Sequence, residues 1–241
     1  MRLPPSRYSV WLEALDGLDH VWKSMDFSER CPAPSLCYRE YLGFLLGTRL
    51  GLAVPSTRLL RDPRYGRISV QRFITGARPV TTAERDGLAG TPTGIRLLIL
   101  DLICRNPDRT NANLLIRDGA VFPIDFNVAF DFQDDRLDDN KFRSFITHWF
   151  GPAGVVLLSP RDGDRLLLEL ERAAHLLGDS FLDHSVALVD DEFLAEEERV
   201  TLLDGLKRRR DILRPTLARW WEETVAPVHR ILSLTTKDDR P

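Results

Sequence analysis

The order of elements in this sequence predicts an α+β fold of two lobes, a reduced β-rich N-lobe followed by a mainly helical C-lobe. Three observations carry that expectation. Residues 8–74 hold four strand-like runs and one helix-like run. The apolar spacing is helical from about residue 82 onward. That helical part is broken once, by the hairpin pattern "ANLLIRDGAVFPIDF" at 112–126. A chain of 241 residues has room for two small lobes around one cleft, and the change of pattern at "ITGARP" divides it into residues 1–78 and 79–241.

Taken in order, "YSVWLEAL" and "LDHVWKSM" flank Asp16-Gly17, a two-residue hairpin turn. "SERCPAPS" is a loop punctuated by Pro32 and Pro34. "SLCYREYLGFLLGTRLGL" carries Leu42, Leu45, Leu46 and Leu50 at helical spacing, with Ser35 placed as an N-cap. "LAVPSTRLL" and "GRISVQRFI" are two further strands joined by the polar turn "RDPRYG". "TGIRLLILDLIC" suits a buried helix, and the hairpin after it turns at Asp118-Gly119. "FRSFITHWF", "DRLLLELERAAHLL" and "ERVTLLDGLKRRRDILRPTLARWWEETV" repeat at helical spacing. Pro215 is expected to end or kink the last of these. "KRRRD" at 207–211 is expected to form a solvated helix face, and Trp220-Trp221 to pin the last helix to the body.

Composition narrows the function. With 43% hydrophobic and 29% charged residues the chain can build a core and is not disordered by composition. The formal net charge is −3 with the two signs interspersed, which supplies no basic field for nucleic acid. No apolar run approaches the roughly 20 residues that cross a bilayer, and "MRLPPSRYSVWLEALDG" lacks a signal-peptide core. Cys31, Cys37 and Cys104 are an odd set without zinc spacing, which fits a reducing compartment. A soluble, cytoplasmic protein without a membrane partner is the expectation.

The chemistry concentrates in "NPDRTNAN", residues 106–113, which sets Asp108, Arg109 and Asn113 between apolar segments. A hairpin of the predicted length folds back, so that Asp125 at its far end returns to Asn113. An amide oxygen beside a carboxylate is a hard-ligand pair for Mg²⁺ carrying phosphate oxygens. Asp108 then stands where it can orient a hydroxyl or take its proton. The bland reading is a polar turn, because Asn-Pro-Asp is strong turn chemistry. Arg109, next to a core, calls for an internal ion pair that fixes the loop.

Lys23 is the second focus. It lies on the second strand and shares a face with Val21 and Met25. Glu40 follows on the first helix. A strand lysine paired with a glutamate on the next helix is suited to holding the α and β phosphates of ATP, with Val21 toward adenine. An edge lysine with a solvated glutamate is the alternative.

Together these residues resemble the HipA-like kinases, within the wider protein-kinase-like fold. The family's catalytic loop, N-x-D-R-x-x-x-N, is matched by Asn106, Asp108, Arg109 and Asn113, and its metal-binding aspartate by Asp125 in "FPIDFNVAF". "LGTRLGLAVPSTRLL" is similar to the family's helix end and next strand. "VQRFITG" is similar to the segment entering the hinge, which implies that backbone from Gln71 to Phe73 faces adenine. The resemblance implies ATP and Mg²⁺ as cofactors and transfer of a phosphoryl group to a hydroxyl. Asp108 is then the base, Asn113 and Asp125 the metal ligands, and Lys23, supported by Glu40, the phosphate contact. The acceptor, a protein serine or threonine or a small molecule, is left open, as is an antitoxin-like partner. One departure stands out: Pro4 and Pro5 replace the glycines of the family's phosphate loop, leaving Ser6 and Arg7 to grip phosphate. That departure keeps a second reading alive, a nucleotide-binding pseudokinase or scaffold without turnover. A third uses the same fold to transfer AMP.

Overall fold

The computed structural model describes residues 9–24, 36–132 and 160–227. Strands β1 (Ser9–Leu15) and β2 (Leu18–Ser24) form the expected antiparallel hairpin, in register from Ser9 opposite Ser24 to Leu15 opposite Leu18. Both turn residues have positive φ, 53° at Asp16 and 75° at Gly17, which is why Asp-Gly is favoured there. Helix α1 (Leu36–Arg49) ends where Gly51 takes a φ of 78° and the amides of Gly51 and Leu52 close back onto Thr48 and Gly47.

Strands β3 (Thr57–Asp62) and β4 (Gly66–Arg72) complete a sheet of order β1-β2-β4-β3. Alternation gives this sheet two different faces. One carries a small apolar cluster of Trp22, Ile68 and Val70, flanked by Leu15, Leu60 and Tyr65. The other carries Val21, Lys23, Leu59, Ser69 and Gln71, and α1 packs across it.

The chain passes to the second sheet between Arg72 and Arg78. There β5 (Arg78–Pro79) pairs with β6 (Leu114–Arg117), which pairs in turn with β7 (Ala120–Pro123) around the Asp118-Gly119 turn. Helix α2 (Thr82–Leu88) starts in a capping box made by Thr81 and Glu84. Helix α3 (Pro92–Cys104) begins with Thr91 as cap and Pro92 in its first turn. From Gly94 to Cys104 only Arg96 escapes burial, and it reaches Glu169 of α4 (Pro160–Leu176) through two hydrogen bonds of 2.8 Å. Helices α5 (Asp179–Ala187) and α6 (Glu196–Trp220) follow, and a π-helical turn over Trp221–Val225 continues the last of them. One core runs through it, joining Leu42 and Leu46 of α1 to α3 and to Leu206, Leu217 and Trp220 of α6. The architecture is the predicted two-lobed α+β arrangement. Among the described residues no single helix is long and apolar enough to cross a bilayer.

Two expectations need correction. Pro215 does not end its helix: α6 runs through it to Trp220. An internal proline removes one hydrogen bond at a cost of about 3 kcal/mol. Burial of Leu213, Leu217 and Trp220 around it offsets that cost. Nor is "KRRRD" a solvated face. Arg209 is buried, donating to the Leu102 carbonyl, and Arg210 ties α6 to the Leu177 carbonyl and Asp179. The helix expected over 142–150 and the cap at Ser35 lie outside the described residues.

Candidate active site

Alternation along β2 turns Trp22 to one side of the sheet and Lys23 to the other, toward α1. The Lys23 Nζ lies 2.5 Å from the Glu40 carboxylate and 3.0 Å from Asp125 Oδ1. Three residues distant in sequence therefore meet at one ammonium group. Burial acts to lower the lysine's pKa, but the two carboxylates outweigh it and hold the pKa above the usual lysine value, so Lys23 stays charged. Burial pushes the Glu40 carboxyl the other way, up from its usual value, against the pull of Lys23.

Asp125 reaches this position through an unusual backbone. Its φ is 63°, in the left-handed region that aspartate tolerates better than most residues. The ladder of β6 and β7 extends past Leu114 and Pro123, with the Ile124 amide donating to the Asn113 carbonyl at 3.0 Å. Asp125 thus leaves the hairpin immediately beside Asn113. The Asn113 side-chain amide donates to the Asp108 carbonyl at 2.6 Å and faces Asp108 Oδ2 at 3.4 Å. Its donor end is committed to the loop, and its Oδ1 remains as a hard acceptor.

Arg109 holds this loop to the hairpin. Its guanidinium meets Asp101 of α3 at 2.9 Å, with both side chains almost wholly buried. It also donates to the carbonyls of Asn113 at 3.0 Å and Ile124 at 2.5 Å, and lies 4.7 Å from the centre of the Phe126 ring. Asn106 joins the same group by donating to Asp101 at 3.2 Å. The internal ion pair expected for Arg109 is present. Its partner Asp101 was not foreseen, although a carboxylate inside "LLILDLIC" is the signal.

The sequence also gave no pointer to Arg39 or Gly43. Arg39, beside Glu40, donates to the Asn127 carbonyl at 3.2 Å, a second tie from α1 to the segment that carries Asp125. Gly43 lets α1 rest directly on Phe126, since a Cβ there would lie 2.3 Å from the ring. Gly43→Ala is expected to cost about 1–3 kcal/mol through this clash. It should appear in a thermal melt as a lowered midpoint, whereas Gly87→Ala, with open space around it, should leave the midpoint unchanged or raised.

The remaining sequence candidates are placed as follows. Val21 is half-buried on the Lys23 face. Gln71 is on the same face, buried, with its amide on Thr57 Oγ1 at 3.3 Å. Phe73 is 37% exposed. The amides of Arg72 and Phe73 donate to the carbonyls of Ser56 and Asp19, so neither amide is open to a base. Ser6 and Arg7 lie outside the described residues. Among the described residues no three His, Cys, Asp or Glu side chains gather into a metal cluster. The donors that do fit a hard cation are Asn113 Oδ1 and the carboxylate of Asp125.

No family model and no curated protein matches this sequence. Solved structures do match its fold. The Helicobacter pylori proinflammatory kinase CtkA aligns with a TM-score of 0.60 at 14% identity, covering 93% of this chain and 95% of CtkA. HipA of Shewanella oneidensis MR-1, solved with HipB and operator DNA as a toxin–antitoxin system, aligns at 0.55 and 14% identity, over 87% of this chain and 65% of HipA. The N-terminal 618-residue fragment of LepB from Legionella pneumophila aligns at 0.52 and 11% identity, over 85% of this chain and 46% of the fragment. The chain shares its overall fold with CtkA and HipA, the fold its motifs led us to expect.

Proposed function

We propose that the protein is an ATP- and Mg²⁺-dependent phosphotransferase that moves the γ-phosphoryl group of ATP to a hydroxyl of a protein or a small molecule. The observation that carries this reading is the convergence of Lys23, Glu40 and Asp125 on one ammonium group, next to the Asp108–Asn113 pair. Phosphoryl transfer asks for positioning and charge neutralisation more than for covalent chemistry, and these residues are suited to both. Lys23, held by Glu40, takes the phosphates of the nucleotide. Asn113 Oδ1 and Asp125 would hold Mg²⁺, and Asp108 would accept the proton of the acceptor hydroxyl as its oxygen bonds to the γ-phosphorus and the bond from that phosphorus to the bridging oxygen breaks, releasing ADP. When bound, the metal neutralises charge on the phosphate oxygens.

The nucleotide would lie between residues 1–78 and 79–241. Val21 and the backbone from Gln71 to Phe73 would flank the base, and Ser6 and Arg7 stay candidates for the phosphates on sequence grounds alone. The neighbouring HipA structure contains HipB, and an antitoxin-like partner in the cytoplasm belongs to the same proposal. The test is to incubate the protein with Mg²⁺, ATP and cell lysate and to identify modified acceptors by mass spectrometry. A phosphoryl adduct that depends on Asp108 is the expected product. An AMP adduct would replace this reading with nucleotidyl transfer, and nucleotide binding without any adduct would replace it with a pseudokinase.

A further inference from the structure

Two hollows share Leu18, Ser56 and Arg72, and the first of them lies on the far side of the N-terminal sheet from Lys23. The first, about 190 Å³, is floored by Leu15, Leu18 and Val70 and edged by His20, Arg58 and Arg72. Register puts these side chains opposite those of Lys23 and Gln71, so this hollow is not the nucleotide cleft. The second, about 470 Å³, continues along Phe73–Thr75 to Arg117 and Phe122 of the β6–β7 hairpin. The furrow therefore touches both sheets across the connection between them.

Its chemistry is mixed in a particular way. Leu18 and Phe73 are 48% and 37% exposed, where most large apolar side chains of the described residues are covered. Three arginines line the furrow against two aspartates, Asp16 and Asp19, in a chain whose net charge is −3. Arg58 lies 3.9 Å from Asp16, its one ion-pair partner among the described residues, and its side chain is largely exposed. Arg117 donates to the Thr75 carbonyl at 3.3 Å, meets the exposed Asp118 carboxylate at 3.4 Å and lies 5.9 Å from the Phe122 ring centre. The Arg72 side chain, where the hollows join, makes no hydrogen bond or ion pair with another described residue.

We propose that this furrow docks an acidic peptide segment of a partner protein that carries a large apolar side chain. Carboxylates of such a segment meet Arg58, Arg72 and Arg117 in charge-assisted hydrogen bonds. Its apolar residue covers Leu18 and Phe73 and fills the larger hollow. A segment bound there bridges both sheets behind the connection and so fixes how they sit on each other. The proposal stands on the furrow itself and survives if the chain proves not to transfer phosphate.

The test is fluorescence anisotropy with the fluorescein-labelled peptide Glu-Glu-Asp-Phe-Glu-Glu-Leu-Asp. Two control peptides carry Ser for Phe and Leu, or Lys for every acid. Saturable binding of the first peptide alone is expected. Arg72→Glu and Leu18→Ser should each weaken it at least tenfold without moving the thermal midpoint. Absence of saturable binding, equal binding of the Ser peptide, or binding indifferent to Arg72→Glu would overturn the proposal. Concentration-dependent dimerisation abolished by Leu18→Ser would assign the face to a second copy of the chain and overturn it equally.

Discussion

Asp108→Ala is expected to cripple the proposed transfer of phosphate from ATP while leaving nucleotide affinity within a few-fold of the parent protein. The expected loss is roughly a hundred- to ten-thousand-fold in turnover, the range set by removing a positioned general base. Two features isolate the effect. Asp108 is exposed, so its removal leaves no buried group without a partner. It also contributes to its loop mainly through its backbone carbonyl, which accepts from Asn113 and Thr110 and survives the substitution. Radiolabel transfer under Mg²⁺, run beside a nucleotide titration, checks both halves. A variant that still turns over, or one that loses nucleotide as completely as activity, would take Asp108 out of the role assigned to it.

Breaking the Arg109–Asp101 pair has the largest expected effect on stability. Arg109→Leu removes the guanidinium that lies directly on the buried Asp101 carboxylate, a change worth about 3–5 kcal/mol. Domains of this kind are stable by only about 5–15 kcal/mol, so much of the margin goes. The double variant Arg109→Leu with Asp101→Leu should recover a large part of it, because the buried carboxylate is removed together with its guanidinium. It should not recover activity, since the carbonyls of Asn113 and Ile124 also lose their donor and the loop is no longer tied to the hairpin. Urea unfolding of the single and double variants measures the first effect. A double variant no more stable than Arg109→Leu would show that the pair does not act as a buried ion pair.

Much of this arrangement was legible in the sequence because it is local. Each Asp-Gly turn fixes its own hairpin through positive φ at two residues, and "TGIRLLILDLIC" has too little polar surface to be anything but a buried segment. The loop motif and Asp125 were readable because a hairpin must return the chain to where it started. What escaped depends on contacts across long stretches of chain. Asp101 reads as a flaw in an apolar helix until Arg109 is seen above it. Gly43 reads as a weak helix residue until Phe126 is found against it. Arg209 reads as surface charge because the carbonyl it reaches, on Leu102, lies 107 residues away. Pro215 misled for a related reason: local rules end a helix there, and tertiary burial overrides them.

The central claim is that Lys23, Asn113 and Asp125 converge on a magnesium nucleotide. Calorimetric titration of ATP with Mg²⁺ and with EDTA, on the parent protein and on Asp125→Ala and Lys23→Met, addresses it most directly. We expect Mg²⁺ to tighten ATP binding to the parent protein. Asp125→Ala should bind ATP with or without metal at one and the same weaker affinity, and Lys23→Met should lose affinity under both conditions. ATP affinity that ignores Mg²⁺ in the parent protein, or that Asp125→Ala and Lys23→Met leave untouched, would contradict it.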